Sequence, residues 1–303
     1  MKTFPKSLLV TLFALSTLFL AACDSDSGSD SEQLSLSFSN VDPLTNGFHY
    51  EGWLIIDGAP VSTGKFNVSS SGSLVDLNGS SIGNGLFDID ADIESATTFV
   101  LTIEPSGDTD SVPSSTKYMG GAITNGSSSL SAAHGSSLGD SFLDVTGEYI
   151  LATPTDGANT NETSGIWWLN PTSGSPVAGL NLPALPAGWK YEGWTVISGT
   201  PVTTGTFVSA SGVDEFDGFS STNPGPPFPG EDFLTAAPSP LSFPVDLSGG
   251  TAVISIEPFP DSDPAPFTLK PLVGAIPASA ASGTVYAMGN NAAAFPSGTV
   301  QLN

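Results

Sequence analysis

The groups in this 303-residue chain that could do chemistry are two histidines, one cysteine, 30 carboxylates and six lysines, with no arginine beside them. His134 precedes Gly135-Ser136-Ser137-Leu138-Gly139, the Gly-x-Ser-x-Gly spacing of a nucleophile elbow. In that reading Ser137 attacks and a histidine takes its proton. An elbow needs a buried strand before the serine and a helix after it. Here Ser/Ala-rich sequence precedes and Asp140-Ser141 follows, so a Ser-dependent hydrolase is the weakest reading and a non-enzymatic protein the expected one. His49 lies in a strand pattern, where packing is expected. No His/Cys cluster is written in the spacing, which argues against a transition-metal site. Asp108 and Asp110, and again Asp261 and Asp263, could join loop carbonyls around Ca²⁺. Aspartates in turns also serve to bond their own backbone, the expected role here, and no other cofactor is implied. Tyr50, Trp53, Tyr191 and Trp194 could line a ligand groove, with an aromatic core as the expected alternative.

The elements that must position these groups occur twice. Tyr50-Glu51-Gly52-Trp53 and Pro60 to Phe66 return as Tyr191-Glu192-Gly193-Trp194 and Pro201 to Phe207. Ile103-Glu104-Pro105, Asp108, Asp110, Pro113, Lys117 and Gly121-Ala122-Ile123 return as Ile256-Glu257-Pro258, Asp261, Asp263, Pro266, Lys270 and Gly274-Ala275-Ile276. Such self-similarity predicts an internal duplication. Phe48 to Ile56 is apolar on both faces, as in a central strand. Gly52 inside it marks a bulge or a close approach, and Asp57-Gly58 is a two-residue hairpin turn. Glu104 with Lys117, and Glu257 with Lys270, are expected to pair across hairpins. Ser127 to Leu138 suggests one short helix, and Gly298 to Leu302 a strand closing the second half as Gly147 to Thr153 closes the first. Ile166-Trp167-Trp168-Leu169 lacks alternation and should be buried on both faces. Pro154 to Ser164 reads as a linker, with the strands on either side close together. Asn223 to Leu234, with four prolines and two phenylalanines, is a stiff extra loop in the second half that either recognises a ligand or covers its own domain.

Gly and Pro number 34 and 25, which suits short strands joined by turns. Lys2 and Lys6, an apolar run from Leu8 to Leu20 and small residues before Cys23 make residues 1–22 a secretory signal. Leu20-Ala21-Ala22-Cys23 resembles the lipobox of bacterial lipoproteins, which implies cleavage before Cys23 and a covalent lipid on it. Residues 23–33 are acidic and polar, a flexible tether. The net charge of −24 and the lack of arginine exclude nucleic-acid binding.

Three motifs in order, Tyr50–Trp53, Gly58–Phe66 and Thr102–Pro105, with Tyr191–Trp194, Gly199–Phe207 and Ser255–Pro258, resemble the extracytoplasmic C-terminal domain of anti-sigma-K factors. The resemblance implies an all-β fold of two tandem β-sandwich (Ig-like or related) units, residues 34–155 and 164–303. Those proteins regulate sigma factors through a cytoplasmic domain and a membrane span, in place of which a lipobox stands here. The expectation is a membrane-anchored lipoprotein of the cell envelope, in the outer membrane or on the periplasmic face of the inner one. It would act as an interaction or sensing module without binding a sigma factor directly, its partner an envelope protein or a glycan. The alternative is a carbohydrate- or peptide-binding surface lipoprotein.

Overall fold

A computed structural model describes residues 32–157, 160–261 and 263–303. The signal segment 1–22, the lipid site Cys23 and most of the tether 23–33 lie outside the described residues. The tether is shorter than expected, because the first strand begins at Glu32. Glu32 faces Ile89 in the ladder, and its carboxylate accepts the Ile93 N–H at 2.7 Å.

The described chain is all-β, with antiparallel sheets and no α-helix. His49–Ile56 is central as its two apolar faces predict, paired with Ala59–Val68 on one side and Thr98–Glu104 on the other. Asp57 and Gly58 both have positive φ, so the turn follows the twist of the hairpin it joins. The second hairpin repeats the first position for position. Tyr50 faces Phe66 and Gly52 faces Gly64; Tyr191 faces Phe207 and Gly193 faces Gly205. In both the register slips just after the glycine, between Gly52 and Trp53 and between Gly193 and Trp194. The glycines are also close approaches, since a Cβ on Gly52 would fall 2.3 Å from Thr63 Oγ1.

The closing strands are exchanged. Ser297–Leu302, at the end of the chain, lies between Ser127–Ser131 and Glu32–Ser39 in the nine-stranded sheet of the first half. Thr146–Leu151, at the end of the first half, pairs with Gly165–Trp167, Leu180–Asn181 and Tyr286–Ala287. The expected strand at Gly298 to Leu302 exists, therefore, but completes the other half. Residues 31–303 form one compact unit. Rings join the halves inside it: Tyr50 stacks on Tyr118 at 5.8 Å, and Tyr118 meets Phe267 at 5.4 Å and Trp189 at 6.3 Å. Such contacts contribute about 0.5–1.5 kcal/mol each beyond the area they bury.

Two further segments differ from expectation. Ser127 to Leu138 holds no helix; Ser127–Ser131 is a strand that buries Leu130 between two neighbours, and turns follow. Pro154 to Ser164 is the tip of a hairpin, because Ile166 faces Leu151 and Trp167 faces Ile150 across it.

Candidate functional site

The four aromatics of the repeated motif are core. Tyr50, Trp53, Tyr191 and Trp194 are each at most 2% exposed. Their polar atoms bond the protein: Tyr50 Oη donates to the Asp42 carbonyl and Tyr191 Oη to that of Pro183, both at 2.8 Å. Trp53 Nε1 donates to Thr102 Oγ1 at 2.9 Å, and Thr102 Oγ1 donates to the Glu104 carboxylate. The second half repeats this chain from Trp194 Nε1 to Ser255 Oγ at 2.8 Å and on to Glu257. The backbone N–H groups of Ser114 and Phe267 complete the two carboxylates at 3.0 and 2.9 Å. These residues thus form a buried hydrogen-bond relay across two strands and the loop that follows them, and the four aromatics offer no open face to a ligand.

That relay displaces the expected ion pairs. A register slip between Leu101 and Thr102 sets Lys117 opposite Thr102, while Glu104 turns inward to the hydroxyl and amide above. Glu257 does likewise with Ser255 and Phe267, and Lys270 is half-buried with its pKa pulled below the usual lysine range by desolvation. Among the described residues the lysine pairs that form are Lys65 with Asp108 at 2.6 Å and Glu51 at 3.6 Å, and Lys190 with Glu215 at 2.5 Å.

Ser137 is 6% exposed, and its hydroxyl is held by the carbonyls of Tyr118 at 2.9 Å and Ala132 at 3.2 Å. The His134 imidazole meets the Ser136 hydroxyl at 2.8 Å and not that of Ser137, whose backbone N–H donates to the His134 carbonyl. The segment is a run of turns, so the Gly-x-Ser-x-Gly spacing builds no elbow. The aspartates of the Pro-flanked turns cap their own backbone: Asp110 accepts from Val112 N, Asp261 from Asp263 N and Asp263 from Ala265 N, at 2.8, 3.0 and 2.9 Å. Of the four expected at Ca²⁺ sites, Asp108 alone joins a group of three potential ligands, with His49 and Glu51, among the described residues.

A cleft of about 630 Å³ lies elsewhere, under the proline-rich loop, within the usual range for small-molecule sites. Gly230–Asp232 pairs with Gly165–Trp167 and brings the loop back over the Trp167 indole. Gly225 is required there, since a Cβ would fall 2.3 Å from the ring. Trp167 Nε1 donates to Asp232 Oδ1 at 2.8 Å. The other Asp232 oxygen accepts Thr155 N at 2.8 Å and Thr155 Oγ1 at 2.5 Å. Thr155 in turn accepts Ser221 N and Asn223 N, at 2.9 and 3.1 Å, which pins both sides of the cleft to the hairpin tip. The loop both covers Trp167 and lines the cleft.

The chain finds no match among protein families, curated proteins or solved structures. The likeness to anti-sigma outer domains therefore rests on the three motifs, and the relay gives those motifs a structural role.

Carboxyls crowd the cleft's inner wall. Asp214, whose Oδ2 accepts Gly230 N at 2.7 Å, is pushed up to about 6 by burial. Behind it Glu231 is fully buried and pushed up to about 8, first by desolvation and then by the neighbouring charges of Asp214 and Asp232. The Ser220 hydroxyl donates to Glu231, while Glu231 Oε2 has no hydrogen-bond partner. Near pH 7 this wall mixes a neutral acid with ionised carboxylates. No local pattern marks it beyond the loop itself, because Thr155, Trp167, Asp214 and Asp232 meet only through the strand pairing.

Proposed function

We propose that this chain is a non-enzymatic envelope lipoprotein, held to the membrane by a lipid on Cys23, that binds a neutral glycan in the cleft beneath Asn223–Phe228. The cleft is the observation that carries the reading. Trp167, Phe216 and Phe228 supply apolar surface for sugar C–H faces, and Ser221, Thr222 and Asp217 supply hydroxyl and carboxylate partners for sugar hydroxyls. No lysine lines it, which disfavours phosphorylated or carboxylated ligands. The repeated relay supports a rigid scaffold rather than a second binding face. Duplication of one ancestral module, related to anti-sigma outer domains, is part of this proposal, and the matching hairpin registers support it. A direct sigma-factor contact is not part of it.

The test is tryptophan fluorescence of the lipid-free chain 24–303, titrated with a panel of neutral oligosaccharides. Saturable binding, weakened at least tenfold in Asp217→Asn and Phe228→Ala, is the expected result. A flat response across the panel, or binding indifferent to both variants, would overturn the assignment. Anchoring is tested separately: Cys23→Ser should move the protein from the detergent phase to the aqueous phase on Triton X-114 partition.

A further inference from the structure

Beside the first hairpin, two of its side chains meet one from the turn after Thr98–Glu104. Each of His49, Glu51 and Asp108 places a ligand atom within 4.8 Å of the other two. His49 and Glu51 are 4% and 2% exposed. In all three one polar atom is already held from outside the group. His49 Nδ1 meets the Gly47 carbonyl at 3.4 Å, which sets the tautomer and leaves the Nε2 lone pair. That Nε2 is buried with no hydrogen-bond partner. Glu51 Oε1 accepts the Ser62 hydroxyl at 2.5 Å, and Oε2 is buried without a hydrogen bond. Asp108 Oδ1 receives Asp110 N at 3.4 Å. A histidine fixed by a carbonyl, with carboxylates oriented by hydroxyl and amide donors, is the outer arrangement that metal ligands require.

A cation already stands at this point. Lys65 Nζ is 2.6 Å from Asp108 Oδ2 and 3.6 Å from Glu51 Oε2, and it also donates to the Asp108 carbonyl at 3.0 Å. The ammonium does not satisfy His49, because an imidazole needs a proton donor or a metal at Nε2 and none is within bonding distance. The lysine side chain is 24% exposed and has a path to solvent. Ligands around a tetrahedral Zn²⁺, at about 2.0–2.1 Å from the metal, lie about 3.3 Å from one another, so the group must draw inward as the lysine leaves. The second half lacks this arrangement. Lys190 stands at the position of His49 and Thr206 at that of Lys65, and Lys190 turns outward to Glu215 over the Phe259 ring.

We propose that His49, Glu51 and Asp108 form a binding site for a divalent transition metal of the zinc class, with Lys65 as a built-in competitor that holds the site when the metal is absent. One histidine with two carboxylates suits Zn²⁺ over the all-oxygen cations Ca²⁺ and Mg²⁺. Sequence spacing hid the site, because 57 positions separate Glu51 from Asp108 and the sheet alone brings them together.

The experiment is competition of the tag-free chain 24–303 with a chromophoric chelator for Zn²⁺. That chain has no cysteine, and His134 is its only other histidine, so few alternative ligands exist. Expected are one Zn²⁺ per chain, at least tenfold tighter binding in Lys65→Met, and at least tenfold weaker binding in His49→Gln. Co²⁺ bound to Lys65→Met should show the visible d–d bands of mixed nitrogen and oxygen ligation, and these should vanish when His49→Gln is added. Circular dichroism of each variant establishes that it is folded, and Glu51→Gln serves as the alternative ligand variant should His49→Gln unfold. If neither the native chain nor Lys65→Met binds Zn²⁺, or if binding ignores both ligand substitutions, the site does not exist.

Discussion

Glu257 provides a sharp test of the buried relay. It is 1% exposed, and desolvation raises its pKa from 4.5 to about 8, with the charges of Glu192 and Asp261 adding to the rise. Between those values the native state keeps a proton that the unfolded chain has released, so stability must fall as pH rises. The contribution is complete below about pH 4.5 and is gone above about pH 8. At 1.36 kcal/mol for each pH unit of that window, its ceiling is about 5 kcal/mol. Glu192 at about 7, Asp214 at about 6 and Glu231 at about 8 act in the same direction. Carboxyls with lowered pKa values, Asp108, Glu215 and Asp246, lose their stabilisation only at pH values below this window. Half-buried Lys270 works in the opposite sense, toward alkaline pH. Urea midpoints should therefore drop between pH 5 and pH 8. Glu257→Gln keeps an oxygen for the Ser255 hydroxyl and Phe267 amide and cannot ionise. It should match the native chain within about 1 kcal/mol at pH 5 and exceed it by several at pH 8. A native midpoint that is flat or rises from pH 5 to 8, or a variant equally destabilised at both, would refute the reasoning.

Three other perturbations probe the frame. Gly193→Ala would set a Cβ 2.2 Å from Thr204 Oγ1 and 2.6 Å from Trp168 Nε1, costing about 1–3 kcal/mol in urea denaturation. Val300→Ala removes a side chain 1% exposed from the terminal strand and should cost about 2 kcal/mol. By hydrogen exchange, its loss of protection should centre on the partners Leu36 and Ser128, far away in sequence. Thr155→Val takes the hydroxyl donor from Asp232 and should cost about 1–3 kcal/mol while weakening any cleft ligand, read by denaturation and fluorescence titration.

Local signals made much of the fold legible. The two-sided apolar strand at Phe48 to Ile56 pointed to a central position, Gly52 to a bulge, Asp57-Gly58 to the turn, and unalternating Ile166–Leu169 to double burial. Each follows from backbone geometry within a few residues. The missed features depend on long-range pairing. Nothing near Ser297–Leu302 specifies whether it closes one half or the other, because alternation records a buried face but not the identity of the neighbour. Lys117 lost its expected partner because Glu104 is taken up by the Thr102 hydroxyl and the Ser114 amide, which propensity does not encode. Ser127 to Leu138 has too little apolar periodicity to distinguish a strand edge from a helical turn.

Comparing the halves separates what maintains the fold from what does chemistry. Positions alike in both halves, Trp53 and Trp194, Glu104 and Glu257, Gly52 and Gly193, lie in the relay or in close approaches, where a change leaves a buried group unpaired or a contact too short. Positions that differ are those with groups to spare. His49 stands against Lys190, Lys65 against Thr206, and the proline-rich loop belongs to one half alone. A packed relay tolerates no second use, because each of its donors and acceptors is committed, whereas the rim of the first hairpin and the mouth of the second half carry unpartnered atoms, His49 Nε2 and Glu231 Oε2. The relay residues of those motifs, Trp53, Thr102 and Glu104 with Trp194, Ser255 and Glu257, are therefore the part of this chain least able to bind anything, whereas Glu51 beside them keeps an oxygen without a hydrogen bond. The chain's chemistry is to be sought where the surroundings of the relay differ between the halves.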